Sequence, residues 1–243
     1  MNNIIRYTIK SGDNLYIIAS RYNTTVKDIL AHNVGLNPQS IKVGQVIFVP
    51  KNINYSRPIR INRSVLGLNN LMRMLWEQHI TWTRIVIMDI VYDLPETPFA
   101  INRLLRNPQD FGNAFRRFYG DVVAQRITVL FTEHLTLAAD IVVAAKENNQ
   151  ARVEELNSQW FRNADDIAKL LASINPFWSF VEWQKMLYEH LELVTNEALN
   201  FINNRLEANV ALYDEMERQA LGMADTMTEG IVRQFSNLFG SLR

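Results

Sequence analysis

Two different patterns of apolar residues divide this chain. Apolar and polar residues alternate over residues 5–10, which is the period-two pattern of a short half-buried strand. Apolar positions then recur at three- and four-residue spacing over residues 15–22 and 26–30, as in two amphipathic helices. An apolar run at residues 46–49, ended by a proline, predicts a second strand. The N-terminal pattern therefore predicts a small βααβ module.

From residue 64 onward the helical period dominates. Breaks rich in Asn, Gly and Pro separate the helical segments. The predicted helices span residues 65–93, 98–106, 109–118, 121–147, 151–174, 179–204 and 206–235. Short loops between long helices favour antiparallel neighbours. The predicted fold class is thus an α+β module over residues 1–51, a linker over 52–63 and an all-α antiparallel helical bundle over 64–243.

Charge and composition narrow the functional classes. The chain has no cysteine, which excludes disulfides and thiolate metal sites or nucleophiles. Its zero net charge hides an asymmetry, because residues 1–63 carry nine Lys/Arg against two Asp and the remainder carries the opposite excess. The N-terminal residues lack the apolar core of a signal peptide, and no run of about eighteen apolar residues predicts a membrane span. We expect cytoplasmic synthesis, no membrane span and no nucleic-acid partner.

The residues of the N-terminal module follow the order and spacing of a known family. They are Tyr7, Gly12, Asp13, Leu15, Ile18, Ala19, Tyr22, Thr25, Ile29, Asn33, Asn37, Pro38, Ile41, Gly44, Gln45, Ile47 and Pro50. With these residues, residues 6–51 resemble a LysM module. The resemblance implies binding of glycans that contain N-acetylglucosamine, such as peptidoglycan or chitin. It also implies a shallow groove between the loops at residues 12–15 and 36–41.

The resemblance places candidate glycan-binding residues on these two loops. An acetamido sugar presents an amide, hydroxyls and a methyl group, which backbone groups and a few apolar walls can recognise. Asn replaces the commoner Thr or Ser at position 14, but still offers a short amide. In the alternative interpretation, the leucine and isoleucine are core residues and the Gly-Asp pair only forms a turn. The candidates are Gly12, Asp13, Asn14, Leu15, Leu36, Asn37, Pro38 and Ile41.

Three histidines repeat within the helical region. His79, His134 and His190 lie 55 and then 56 residues apart, each on the apolar stripe of its helix, which suggests three degenerate helix-hairpin repeats. Buried neutral imidazoles are a common core feature, whereas histidines and carboxylates that converge in a bundle can hold a metal. The Glu-x-x-His spacing of di-iron bundles is absent, so we predict no metal and no cofactor. The weak metal candidates are His79, His134, His190, Asp110, Asp166 and Asp225.

The sequence favours a non-catalytic structural protein that binds wall glycan. In this hypothesis the LysM-like module anchors the chain to a cell wall or spore layer, and the bundle packs with its own copies or with other coat proteins. One alternative is a metal-dependent helical-bundle enzyme with a His/carboxylate centre, which the module targets to the wall. Another is a component of a phage-tail-like assembly.

Overall fold

The computed structural model describes residues 4–10, 13–22, 24–38, 41–50 and 62–239. The chain divides into two compact units, Met1–Ile61 and Asn62–Arg243, which are described separately below. Gly12 and residues 52–61 of the predicted linker lie outside the described residues.

The N-terminal unit has the predicted βααβ order. Its elements are β1 (Ile4–Thr8), α1 (Leu15–Tyr22), α2 (Val26–Ala31) and β2 (Val46–Pro50). Thr25 begins α2, because its side chain accepts a hydrogen bond from the backbone of the first helical turn.

The two strands form an antiparallel ribbon that carries the core of this unit. Tyr7 lies opposite Ile47 in the register, and both side chains are buried, as the alternating pattern requires. The two helices cover this face with Ile18 and Ile29, which are fully buried. One apolar core therefore joins all four elements.

Long helices make up the second unit. They are α3 (Arg63–Tyr92), α4 (Thr97–Leu104), α5 (Asn107–Lys146), α6 (Gln150–Ile174), α7 (Phe180–Ile202) and α8 (Leu206–Gln234), followed by a 3-10 turn at Ser236–Leu238. Asparagine or serine side chains cap the starts of α3, α6 and α7, as expected at N-caps. The fold class predicted from the sequence is confirmed.

The element α5 consists of two helical segments that meet at Gly120. The Phe111 and Phe131 rings lie 5.0 Å apart, and Thr128 Oγ1 donates to the Pro108 carbonyl at 3.3 Å, so the two segments fold back on each other as the predicted helices 109–118 and 121–147. Gly120 has φ 78° and ψ −179°, a conformation that glycine adopts without the steric cost of a side chain. The break predicted at Gly120 is therefore confirmed, and the chain reverses direction there.

The long helices pack in sequence order and close on themselves. α5 packs on α6, α6 on α7 and α7 on α8, while α3 contacts α5, α7 and α8. Residues Thr97–Lys146 include a window long and apolar enough to cross a membrane, but 56% of that window is buried inside the helical unit. This is the usual composition of a helix in the core of a bundle.

Candidate functional site

The turn after β1 is held by the carboxylate of Asp13. Its Oδ2 accepts hydrogen bonds from the Tyr7 hydroxyl at 2.6 Å and from the Lys10 backbone N–H at 2.9 Å. Arg21 forms an ion pair with Oδ1 at 3.3 Å, and the Asp13 side chain is only 5% exposed. The hydrogen bonds from Tyr7 and Lys10 lower the pKa of Asp13 below its ordinary value. The Asp13 carboxylate therefore stabilises the turn through its contacts with Tyr7, Lys10 and Arg21.

The next two candidates have different environments. Asn14 is exposed, and its Oδ1 accepts a hydrogen bond from the Ile17 N–H at 2.8 Å, which caps α1. Leu15 is 2% exposed and belongs to the core of the unit. Leu15 therefore supports the first loop from beneath, and Asn14 is the side chain that this loop presents to solvent.

The second loop is attached to β2 by Asn33. The Nδ2 of Asn33 donates to the carbonyls of Ile29 and Phe48, both at 2.6 Å, and its Oδ1 accepts from the Phe48 N–H at 2.8 Å. Beyond this anchor, Leu36 is half-buried against the core and Asn37 is exposed. The start of the loop is therefore fixed to the sheet, while its next residues reach solvent.

The strand pairing brings the two candidate loops to the same end of the sheet. Thr8 at the end of β1 pairs with Val46 at the start of β2. The Ile9 N–H donates to the Gln45 carbonyl at 2.9 Å, which continues the pairing toward the loops. Pro38 is exposed and Ile41 is half-buried against the core. At this end of the sheet the loops therefore carry exposed amides and a proline ring together with apolar side chains that pack against the core.

Comparison with known proteins assigns the class of this unit. Residues 7–50 match the LysM domain family, so the N-terminal unit is a LysM domain, and the helical unit matches no named family. The LysM match supports binding to glycans that contain N-acetylglucosamine, including peptidoglycan.

A relative shares this domain alone. The chain is 50% identical over 44 residues to the cortical fragment-lytic enzyme of Bacillus subtilis (strain 168). This segment is 18% of the present chain and 10% of that protein. No solved structure matches the chain.

A second cluster of chemistry-bearing residues lies inside the helical unit. His79 on α3, His134 on α5 and His190 on α7 are buried, and one nitrogen of each imidazole lies within 4.8 Å of the others. Their ring centres are 5.6 to 6.1 Å apart. The sequence predicted that each histidine points inward, but not that the three meet at one place.

The aspartates proposed as companions of these histidines lie elsewhere. Asp225 is exposed and forms an ion pair with Arg73 at 2.6 Å, and Asp166 is exposed and pairs with Lys169 at 3.0 Å. Asp110 is half-buried and lines a surface pocket together with arginines. Among the described residues, none of these carboxylates joins the histidine cluster.

Amide side chains take the place that was expected for aspartates. Asn107 Oδ1 lies 3.0 Å from His79 Nδ1, and Asn163 Oδ1 lies 3.2 Å from His134 Nδ1. Both asparagines are buried. The repeat itself carried this signal, because Arg106-Asn107, Arg162-Asn163 and Arg218-Gln219 recur at a constant spacing of 56 residues.

Proposed function

We propose that the LysM domain binds N-acetylglucosamine-containing glycan through its two loops and thereby holds the helical unit on a cell wall or spore layer. The match of residues 7–50 to the LysM family, which includes both loops, is the observation that carries this proposal. The proposal assigns binding to this chain, without a catalytic step.

The exposed groups on the loops suit an acetamido sugar. Asn14 and Asn37 offer amides at the surface, and an amide can both donate to and accept from the sugar's acetamido and hydroxyl groups. Pro38 is exposed beside the half-buried Leu36 and Ile41, which would receive the acetamido methyl group. Because the surface is shallow, we expect one domain to bind weakly and retention on a wall to need several copies together.

The wall or spore setting rests on two further observations. Residues 1–63 carry nine Lys/Arg against two Asp, a charge that favours an anionic polymer. The relative that shares the LysM segment is named for the lysis of cortical fragments, which agrees with such a setting. We propose that the helical unit then packs with further copies of the chain or with other coat proteins.

Titration of the full chain with chitin oligomers tests the binding step. Backbone amide resonances of residues 13–15, 36 and 37 should move, and purified peptidoglycan should retain the chain in a pull-down. Asn37→Ala should weaken oligomer binding by about three- to tenfold, the loss of one hydrogen bond. Lys27→Ala, an exposed change on α2, is the matched control and should bind as the wild type. Unmoved resonances on both loops at saturating oligomer would contradict the proposal.

A further inference from the structure

The buried imidazoles of His79, His134 and His190 form a cluster, and hydrogen bonds to asparagine side chains fix the tautomers of His79 and His134. Asn107 Nδ2 donates to the Leu75 carbonyl at 2.9 Å, so its Oδ1 is the atom that faces His79 Nδ1. An oxygen acceptor there requires the proton on Nδ1, which leaves Nε2 of His79 with a free lone pair.

The same arrangement recurs on the second histidine. Asn163 Nδ2 donates to the Leu130 carbonyl at 3.0 Å, and its Oδ1 faces His134 Nδ1. In both cases the carbonyl belongs to the residue four positions before the histidine. Nε2 of His134 is therefore also the unprotonated nitrogen.

Gln219 occupies the equivalent position in the third pair. Its Nε2 donates at 2.8 Å to the carbonyl of Met186, which is again four residues before the histidine. Among the described residues, Gln219 Oε1 and His190 Nδ1 are both buried and neither has a hydrogen-bond partner. Gln219 is nevertheless near enough to raise the pKa of His190, so a small side-chain rotation would pair the two atoms. The longer glutamine thus replaces asparagine with the same polarity.

Burial favours the neutral form of all three rings. Burial lowers the pKa of His79 to about 4. Burial, and then repulsion from His79, lowers the pKa of His134 to about 3. Burial and both neighbouring histidines hold the pKa of His190 well below its ordinary value. Neutral imidazole is the form that binds metals, because the protonated ring has no lone pair to give.

We propose that Nε2 of His79, His134 and His190 together bind one divalent transition ion, Zn²⁺ by preference, in the core of the helical unit. Imidazole ligands suit Zn²⁺ and its late first-row neighbours, whereas Mg²⁺ and Ca²⁺ require oxygen ligands. Among the described residues the cluster contains no carboxylate. Three histidine ligands leave one tetrahedral position for water or a small anion.

The spacing of the rings fits this ion. With Zn–N bonds of about 2.0–2.1 Å, tetrahedral geometry places ligand nitrogens about 3.4 Å apart and ring centres about 5 to 5.5 Å apart. The observed ring centres are 5.6, 6.0 and 6.1 Å apart, and one nitrogen of each ring lies within 4.8 Å of a nitrogen of the other two. A closure of about 1 Å, within the reach of small side-chain rotations, completes the site.

An outer layer supports the same assignment. Metal-bound histidines commonly donate their second N–H to an oxygen acceptor that orients the ring, and the three amide side chains are such acceptors. Glu133 Oε2 accepts a hydrogen bond from Asn163 Nδ2 at 3.1 Å. A carboxyl group is therefore linked to the His134 ring through the Asn163 side chain. Trp76 packs edge-on against His79 and His190, which keeps this part of the cluster apolar.

Reconstitution of the full chain with Zn²⁺, and separately with Co²⁺, tests the proposal. The protein is produced without a polyhistidine tag, stripped by a chelator in denaturant and refolded with the ion, because a buried site closes before an ion can enter. We expect one ion per chain by elemental analysis, and for Co²⁺ a visible absorption band of tetrahedral intensity. Less than about a tenth of an ion per refolded chain would overturn the proposal and leave the histidines as core residues only.

Variants locate the ion. His134→Gln should reduce the bound metal at least about tenfold, and Asn163→Ala, which keeps all three ligands and removes the amide that orients His134, should weaken affinity about 10- to 100-fold. His32→Ala is the matched control, since His32 is the one histidine outside the cluster and is exposed on the N-terminal unit. Metal lost in His32→Ala and kept in His134→Gln would also overturn the proposal.

If a histidine variant does not fold, nitrogen-15 NMR of the wild-type protein still tests the proposed site. Nitrogen-15 resonances of the imidazoles report which ring nitrogen carries a proton and which binds metal. We expect Nδ1–H tautomers without metal, and Zn²⁺ should shift the three Nε2 resonances alone. Three Nε2 resonances unchanged by Zn²⁺ would overturn the proposal.

Discussion

The substitution Glu197→Gln should change how the stability of the helical unit depends on pH. Glu197 on α7 is completely buried, and its Oε1 accepts a hydrogen bond from Arg84 on α3. The Arg84 guanidinium lies 4.9 Å from the Phe201 ring centre and 5.0 Å from that of Tyr213. Burial raises the pKa of Glu197 to about 7, although Arg84 acts in the opposite direction.

The Glu197 carboxyl loses its proton at a lower pH in the unfolded chain than in the folded chain, so the folded state becomes less stable as pH rises between the two pKa values. Below pH 4.5 the carboxyl is protonated in both the folded and the unfolded chain. As pH rises toward 7, the unfolded chain releases this proton and the folded chain keeps it, so stability is lost over that interval. The difference between a pKa of about 7 and one of 4.5, at about 1.4 kcal/mol per pH unit, sets an upper limit of about 3 to 3.5 kcal/mol.

Urea unfolding followed by tryptophan fluorescence measures this effect. All five tryptophans lie in the helical unit, so the signal reports that unit alone. Relative to the wild type, Glu197→Gln should gain up to about 3 kcal/mol of unfolding free energy between pH 4.5 and about pH 8. Glu192→Gln, an exposed change on the same helix, should give a flat difference. A flat difference for Glu197→Gln as well would refute the reasoning.

Three further substitutions test local features of both units. Gly230→Ala should destabilise the helical unit by about 1–3 kcal/mol in urea, because the added Cβ would lie 1.9 Å from Trp178 Nε1. Asn33→Ala should cost the N-terminal unit about 1–3 kcal/mol and speed amide exchange in β2, since it leaves backbone groups of that strand unpaired. Asp13→Asn should remove part of the acid sensitivity of the N-terminal unit, because a carboxyl with a lowered pKa stabilises the fold above its titration and loses this effect as pH falls.

A control substitution and direct NMR measurements distinguish these local effects from a general loss of stability. Gly222→Ala on the same helix meets nothing within 4 Å and should stabilise by about 0.5–1 kcal/mol, so an equal loss in both glycine variants would contradict the steric argument. Unchanged β2 exchange in Asn33→Ala would mean that the loop is held by other contacts. A carboxyl carbon titration of Asp13 at its ordinary pKa would remove the basis of the third prediction.

The N-terminal unit could be predicted almost completely because its signals are local. Alternation over β1 and the cap at Thr25 depend on neighbouring residues, and the structure follows both. The glycan-binding residues remain predictions. The sequence could not show that the Asp13 carboxylate accepts hydrogen bonds from Tyr7 and Lys10, because these bonds depend on how the turn folds back on the strand.

In the helical unit, the inward direction of the histidines was predictable from the sequence, but their meeting point was not. Periodicity places His79, His134 and His190 on inward faces, since that needs only the pitch of one helix. Their meeting point depends on the axial offsets of three helices, which no single helix encodes. The predicted aspartate partners follow the histidines at unequal spacing, whereas Asn107 and its equivalents recur in constant register with the repeat.

The meeting of three helices at one point has a topological consequence for a chain without cysteine. A ligand that joined the three rings would act as a noncovalent cross-link between positions 55 and 56 residues apart. In the chain-entropy model, closing a loop of that length lowers the conformational entropy of the unfolded chain and raises its free energy by on the order of 4 kcal/mol. Much of the thermal stability of the helical unit would then depend on whether that ligand is available when the protein folds. The site is complete only when the last of the three helices, α7, has packed against α3 and α5.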